Sequence, residues 1–532
     1  MTKYTRTNAW ENGGTFANKH LLWYAKGVEV MQKRALNNLC SWWFFAAIHG
    51  EYVTANSFPG WGHLPAPPPT PATPQPTPAI QGKYWDQCQH QSWYFPPWHR
   101  GYLLALEAQI RHAVIELGGP SEWALPYWNY FGPGNEYKIP PAFTQTTLPN
   151  GSANPLYVAA RYGPNNNGTI FVPTNTAVGG PVNQTCMSND IYTGNDAVTP
   201  PPGFGGPSTG FSHSGGSSGN LENNPHNLVH VFVGGTAPGG ATWGLMSDPG
   251  LAALDPIFYL HHANIDRMWA VWNTTHANPT DPTWLNGPAS IGEREFVMPM
   301  PHGRECHGRE WVYKPSQVDS LDKVDYTYDD LHRHVPAVNK LANRLSALGA
   351  TAAAASVSEE AAVTGATRME LVGASEQPLQ IKGKGTTTSV RLDPAVRSKL
   401  SASLNAAAET LAPDRTFLNL ENVRGTHDGM ALNVYINLPQ GSSPADHPDL
   451  LAGSVGLFGL HRASLPDGQH AGQGLNFILE ITGIVDKLHL DGQLDNDSLS
   501  VAVVPYNELP GQAQLTIGRI SVYRQGSDKD PE

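Results

Sequence analysis

Apolar residues at Leu21, Leu22, Tyr24, Ala25, Val28 and Met31 recur near a 3.6-residue period, and a second apolar run covers Leu39 to Ile48. Both predict helices within residues 20–50, the second ending at His49. A longer amphipathic pattern over 98–117 opens at Trp98-His99, and further helical patterns cover 222–233 and 255–274. Residues 65–78 are rich in Pro, Ala and Thr and predict an extended loop. Residues 131–220, rich in Gly, Pro, Asn and Ser, predict irregular surface chain. The pattern changes after about residue 335. An Ala/Ser/Glu-rich run at 337–363 reads as helix or linker. Eight short β-type segments follow between turns: 368–372, 386–392, 416–420, 431–438, 454–460, 475–481, 498–504 and 515–523. The expected architecture is a mainly α domain with long irregular loops over 1–335, a linker over 336–365 and a β-sandwich over 366–532.

The chain has 532 residues, 40% of them hydrophobic, and a formal charge of −12. That length admits several domains, and the acidic balance argues against non-specific nucleic-acid binding. The four cysteines, Cys40, Cys88, Cys186 and Cys306, are too few for a disulfide framework and favour a reducing compartment. No basic start followed by an apolar run marks a signal peptide, and no stretch is apolar enough to span a membrane. A soluble, cytoplasmic protein is expected, with carrier-assisted export left open.

The chemistry concentrates in two histidine clusters. One holds His49, Cys88-Gln-His90 and Phe95-Pro-Pro-Trp-His99-Arg100. The other holds His226-Asn-Leu-Val-His230 and Asp255-Pro-Ile-Phe-Tyr-Leu-His261-His262-Ala-Asn264-Ile-Asp266-Arg267. His226 and His230, four apart, would share a helix face. A zinc protease would want Glu after the first histidine, and Asn227 stands there. His261 and His262 lie about 100° apart on a helix, so one is a ligand and the other packs beside it. His90 belongs on a loop and His99 near a helix start. Six neutral imidazoles with no acidic ligand suit two copper ions, and copper in turn suggests dioxygen chemistry. Facing helices with inward histidines are a common housing for two metals.

These motifs resemble those of the tyrosinase, catechol oxidase and mollusc-type haemocyanin family, over residues 1 to about 335. The resemblance implies a four-helix bundle holding two coppers, with His49, His90 and His99 as copper A ligands and His226, His230 and His262 as copper B ligands. It implies structural roles for Asp255, Asn264, Asp266 and Arg267. It makes Phe95 an aromatic packed against a copper A ligand at the substrate pocket, and Cys88 the partner of a thioether to His90. Tyr326-Thr-Tyr328 is similar to the motif that closes the catalytic domain, with Arg6 its N-terminal partner. Glu222 and Asn227 match a pair that holds a water for phenol deprotonation, a step required because free phenol has a pKa near 10. Pro249 falls at the gate over copper B, and Val231 is expected beside it in the pocket. The C-terminal domain loosely resembles the one that keeps plant polyphenol oxidases latent, most clearly at Val434-Tyr435-Ile436 and Ala452-Gly453-Ser454.

The function so implied is a tyrosinase that converts small phenols and catechols to o-quinones with O2. Catechol oxidase, o-aminophenol oxidase and haemocyanin-like oxygen carrier are the alternatives. The number of subunits is open, a homo-oligomer included.

Overall fold

The computed structural model describes residues 4–50, 74–174, 180–195, 199–210, 216–287, 295–303, 306, 308–332, 340–349, 367–407, 413–466, 471–494 and 496–527. Most of the Pro-rich 65–78 segment and most of the 336–365 linker lie outside these residues; within the linker a helix spans Lys340–Ala347.

Six helices place the site: α1 (Lys19–Lys33), α2 (Trp42–His49), α3 (Pro78–Tyr84), α4 (Phe95–Glu116), α5 (Leu228–Gly234) and α6 (Ile257–Trp272). Their starts follow from local chemistry. The Asn18 side chain accepts from the His20 and Leu21 amides, and Ser41 Oγ accepts from Phe44 N at 3.0 Å. α4 begins three residues before the predicted Trp98, because Pro96 and Pro97 fit a first turn whose N–H groups have no intrahelical partner. Every residue of α2 and α6 is buried, so these two form the centre of the bundle. Tyr102 of α4 donates to Phe45 O of α2 at 2.7 Å.

The expected helix over 222–233 is interrupted. Glu222–Asn227 is a wide π-type turn containing Pro225, with Asn224 in an extended conformation (φ −148°), and regular helix starts only at Leu228. Proline lacks the amide that a regular turn needs. Glu222 is therefore not one regular turn before His226, as the sequence suggested.

Buried charge ties the bundle together. Asp266 accepts from Arg100 Nε at 2.6 Å, from Arg6 Nη1 at 3.4 Å, and from the Tyr326 and Tyr328 hydroxyls at 2.5 Å each. Burial alone would raise the Asp266 carboxyl; Arg100 and Arg6 outweigh it and hold it below the usual range. Strand Tyr4–Arg6 pairs in parallel with Tyr326–Tyr328, joining the two ends of the helical domain as the motif implied. A Cys40–Cys306 disulfide spans 266 residues of sequence. It removes the cysteine count as an argument for a reducing compartment. No described helix is long and apolar enough to cross a membrane.

All eight predicted strands are present, and Leu379–Gln380 adds a ninth. They run Leu451–Gly456, Ala431–Ile436, Ser498–Pro505, Thr386–Leu392, Thr367–Ser375, Thr516–Ser527, Arg415–Arg424, Leu475–Glu480, all antiparallel. The layers expected of a sandwich come from one curled sheet whose ends approach, Gly453 lying against Leu479. This domain has its own apolar core. Ala431 and Phe458 are exceptions, joining the core of the helical domain instead.

Candidate metal centre

His49 ends α2, His90 lies on the loop before α4, and His99 sits in the first turns of α4. One ring nitrogen from each lies within 4.8 Å of the others. On the opposite side, His226, His230 and His262 bring their Nε2 atoms to 3.1–3.3 Å of one another. The two sets adjoin: the His99 and His262 rings stack at 4.5 Å.

The Nδ1 atoms show how the rings are aimed. His49 Nδ1 is 2.8 Å from Pro249 O, His99 Nδ1 2.8 Å from Phe95 O, and His230 Nδ1 2.8 Å from Met246 O. His226 Nδ1 is 2.9 Å from Asn227 Oδ1. Each of these acceptors requires a proton on Nδ1 and so leaves Nε2 as the unprotonated nitrogen. Burial, then neighbouring imidazoles, holds His99, His230 and His262 well below their ordinary pKa, and burial brings His226 down to about 3. Two buried, unprotonated Nε2 atoms, those of His226 and His230, thus meet that of His262 at hydrogen-bond distance, an arrangement that a cation would satisfy. Six neutral nitrogens and no carboxylate fit two copper ions.

His261 also has a nitrogen within reach of the second set. Its ring lies 25° from that of His226 at 5.4 Å and 5.7 Å from Tyr130, while His262 supplies the converging Nε2. Of the pair, His262 points its Nε2 at His226 and His230, and His261 packs its ring beside His226 and Tyr130.

The remaining expected residues fall into three groups. Glu222, Asn227, Pro249 and Cys88 line one cavity together with His90, Gln91 and Ser218. Both Glu222 oxygens lie within 3.0 Å of Gln91 N, and burial pushes the Glu222 carboxyl up to about 8 despite its hydrogen bonds. Cys88 Sγ is 3.5 Å from His90 Nδ1, and burial raises its thiol. Asp255 accepts from Arg161 Nε at 2.8 Å and from Ile257 N at 3.1 Å, which fixes the start of α6. Asn264 accepts from Arg267 Nε at 3.1 Å, and Arg267 donates to Asp330 O at 3.1 Å.

Two expectations are corrected. Phe95 does not line the cavity; it is fully buried between rings of both sets, 4.6 Å from His99 and 4.8 Å from His226. Val231 lies in a separate groove with Phe232, Met430 and Tyr506, away from the cavity that Pro249 lines.

The residue that sequence reasoning missed is Phe458, in the turn after strand Leu451–Gly456. Its ring stacks on His230 at 4.1 Å and 24°, and lies 5.8 Å from both His90 and His226. Two glycines make this approach feasible. A Cβ on Gly456 would stand 2.7 Å from Asn227 O, and Gly459 (φ +76°) has Pro249 Cγ at 2.9 Å from where its Cβ would be. Arg462 bonds Asp86 at 3.2 Å, Asn507 donates to Pro164 O at 2.7 Å, and Tyr506 packs on Phe232 at 4.8 Å. The only sequence signal was an aromatic between glycines, Gly456-Leu-Phe458-Gly459.

Comparison with known proteins agrees with this geometry. Residues 40–275 match the common central domain of tyrosinase, and residues 368–525 match a domain family of unknown function. A tyrosinase of Hahella sp. (strain CCB-MM4) is 30% identical over 98% of this chain and 99% of its own. Polyphenol oxidase E of Solanum lycopersicum is 35% identical over 37% of this chain and 33% of its own. The solved structure of latent apple tyrosinase superposes with a TM-score of 0.56 at 20% identity, covering 98% of this chain and 97% of that one. A latent aurone synthase gives 0.56 and 20%, covering 99% and 90%, so the two-domain fold is shared from end to end. The chain belongs to the tyrosinase family and is a copper-dependent oxidoreductase of the tyrosinase and polyphenol oxidase type.

Proposed function

We propose that the protein is a latent tyrosinase that hydroxylates monophenols, oxidises the resulting catechols to o-quinones with O2, and is held inactive by Phe458. The six histidines, in the two sets described, are the proposed copper ligands. Bound there, the two coppers would supply dioxygen reduction and accept the substrate's electrons. The chain's own residues provide the rest. The observation that carries the monophenol reading is a buried carboxyl, Glu222, in the cavity wall beside Asn227. A phenol must lose its hydroxyl proton before its oxygen can act as a ligand. A carboxyl held at about 8 has far more affinity for that proton than an exposed one. The proton would pass to an oxygen of ionised Glu222, a form whose share grows as pH rises towards 8. Catechols, with a more acidic first hydroxyl, depend on this less.

Pro249 at the rim is compact, and no charged side chain from the helical domain other than Glu222 lines the cavity. Both features suit neutral phenols. Arg462, from the β domain, supplies the other charge while the domains are docked.

A catechol oxidase is the second reading. It is favoured by the position of both Glu222 oxygens at Gln91 N, a structural use of the carboxylate. Glu222→Gln decides between them. Slower hydroxylation of a monophenol with catechol oxidation retained supports the tyrosinase; equal loss of both makes Glu222 structural.

A further inference from the structure

Ser218 is a buried hydroxyl in the cavity wall, four residues before Glu222, with 7% of its surface exposed. Its segment is held from two sides. Gly216 N donates to the Gln91 side chain at 3.3 Å, and Ser217 forms a β-bridge with Asn476 of the C-terminal domain.

Taking His226 Nε2 as the ligand atom fixes the direction of the hydrogen bonds around Ser218, because Nδ1 then carries the proton. His226 Nδ1–H donates to Asn227 Oδ1 at 2.9 Å. The amide's other end, Asn227 Nδ2, can only donate, and it does so to Ser218 Oγ at 3.3 Å. The single hydroxyl proton of Ser218 is then available to the neighbouring Glu222 carboxyl, which Ser218 helps to lower against the effect of burial. Glu222 in turn accepts from Gln91 N at 2.9 and 3.0 Å, the residue directly after His90. The chain thus runs from a ring of one histidine set to the loop that carries a ring of the other.

We propose that Ser218 is a positioning residue whose hydroxyl holds the Asn227 amide with its oxygen toward His226 and joins that amide to Glu222. The alternative amide orientation would set two N–H donors against His226 Nδ1. The imidazole would then have to carry its proton on Nε2, the atom that converges on His230 and His262, and could not use it as a ligand. Ser218 opposes that flip as long as its one proton is directed to Glu222, because its oxygen can then only accept and the flipped amide would turn an oxygen towards it. The link to monophenol chemistry rests on the role proposed above for Glu222; the orientation of His226 does not.

The test compares Ser218→Ala, Ser218→Thr and Glu222→Gln in the full-length, copper-loaded protein. A Cu(I) chelator titration with metal analysis reads how firmly each copper is held. The ratio of monophenol hydroxylation to catechol oxidation reads Glu222. Loss of an outer partner of a metal-bound histidine costs about tenfold or more in metal affinity. Ser218→Ala should therefore release one of its two coppers at about tenfold lower chelator concentration, with a fall in the monophenol-to-catechol ratio. Ser218→Thr, which keeps the hydroxyl, should follow the parent in both. A parent-like chelator curve for Ser218→Ala, or a Thr variant as impaired as the Ala variant, overturns the proposal. So does an unchanged ratio in Ser218→Ala where Glu222→Gln lowers it. If Glu222→Gln itself leaves the ratio unchanged, the monophenol role of Glu222 fails, and the chelator curves still judge Ser218.

Discussion

Phe458→Ala should convert the latent protein into one that oxidises small phenols without removal of the C-terminal domain. The ring is 6% exposed and stacked on His230 at 4.1 Å, where a substrate ring would have to lie. Burying a phenyl side chain contributes roughly 1.5–3 kcal/mol, and an aromatic pair adds about 0.5–1.5 kcal/mol. Withdrawal of the plug therefore costs about 2–4.5 kcal/mol, or a competent fraction on the order of 1 in 30 to 1 in 1,600 at 1.4 kcal/mol per tenfold. Apparent affinity follows that fraction, so kcat/KM for a small catechol should rise by roughly 30- to 1,600-fold in the variant. The domain stays docked through Arg462–Asp86 and Asn507–Pro164, so a bulky phenol should gain much less. The assay is the initial rate of quinone formation by copper-replete, full-length protein with one substrate of each size. If Phe458→Ala stays as slow as the parent on the small catechol, while protein cleaved within 340–365 is fast, the barrier is not this ring.

Further outcomes follow from the same geometry. Peptide mapping of active, copper-loaded protein should recover Cys88 and His90 cross-linked with two hydrogens lost; an alkylatable Cys88 in that material would exclude the thioether. Replacing His99 or His262 by Ala should lower bound copper from two per chain towards one and abolish phenol oxidation; full activity in either variant would refute its ligand role. Asp248 and Asp428 are buried on opposite sides of the domain seam, burial raising Asp248 to about 6 and, with the Asp248 charge, raising Asp428 well above the carboxylate range. Their docked pKa exceeds the undocked one, so docking is favoured at low pH and lost as pH rises through about 6 and beyond. Latency should thus weaken from pH 5 to pH 8, and Asp428→Asn should flatten that dependence; the same pH profile in the variant would refute the pair as its source.

The proposed copper ligands were legible because the histidines stand in motifs, and the helices carrying His49, His99, His230 and His262 could be read from apolar periodicity. The strands were legible for the same reason, down to the residue at Thr386–Leu392. What stayed hidden depends on contacts far apart in sequence. Cys40 and Cys306 meet only once the fold has closed, so counting cysteines misjudged them. Phe458 is an ordinary core-type aromatic until the two domains are docked, and Ser218 lies in a Gly/Ser run that reads as loop. Val231 was placed by resemblance, and the groove it lines takes shape only with Met430 and Tyr506 of the C-terminal domain.

The most direct test is a spectrophotometric assay with a monophenol, a catechol and an o-aminophenol on full-length Phe458→Ala protein whose copper content has been measured. The account predicts about two coppers per chain and o-quinone formation, with O2 uptake, from both the monophenol and the catechol. Protein that carries two coppers and oxidises the catechol, yet never hydroxylates the monophenol, would contradict the tyrosinase assignment. Protein that holds zinc in place of copper, or that binds O2 without oxidising any phenol, would contradict the account as a whole.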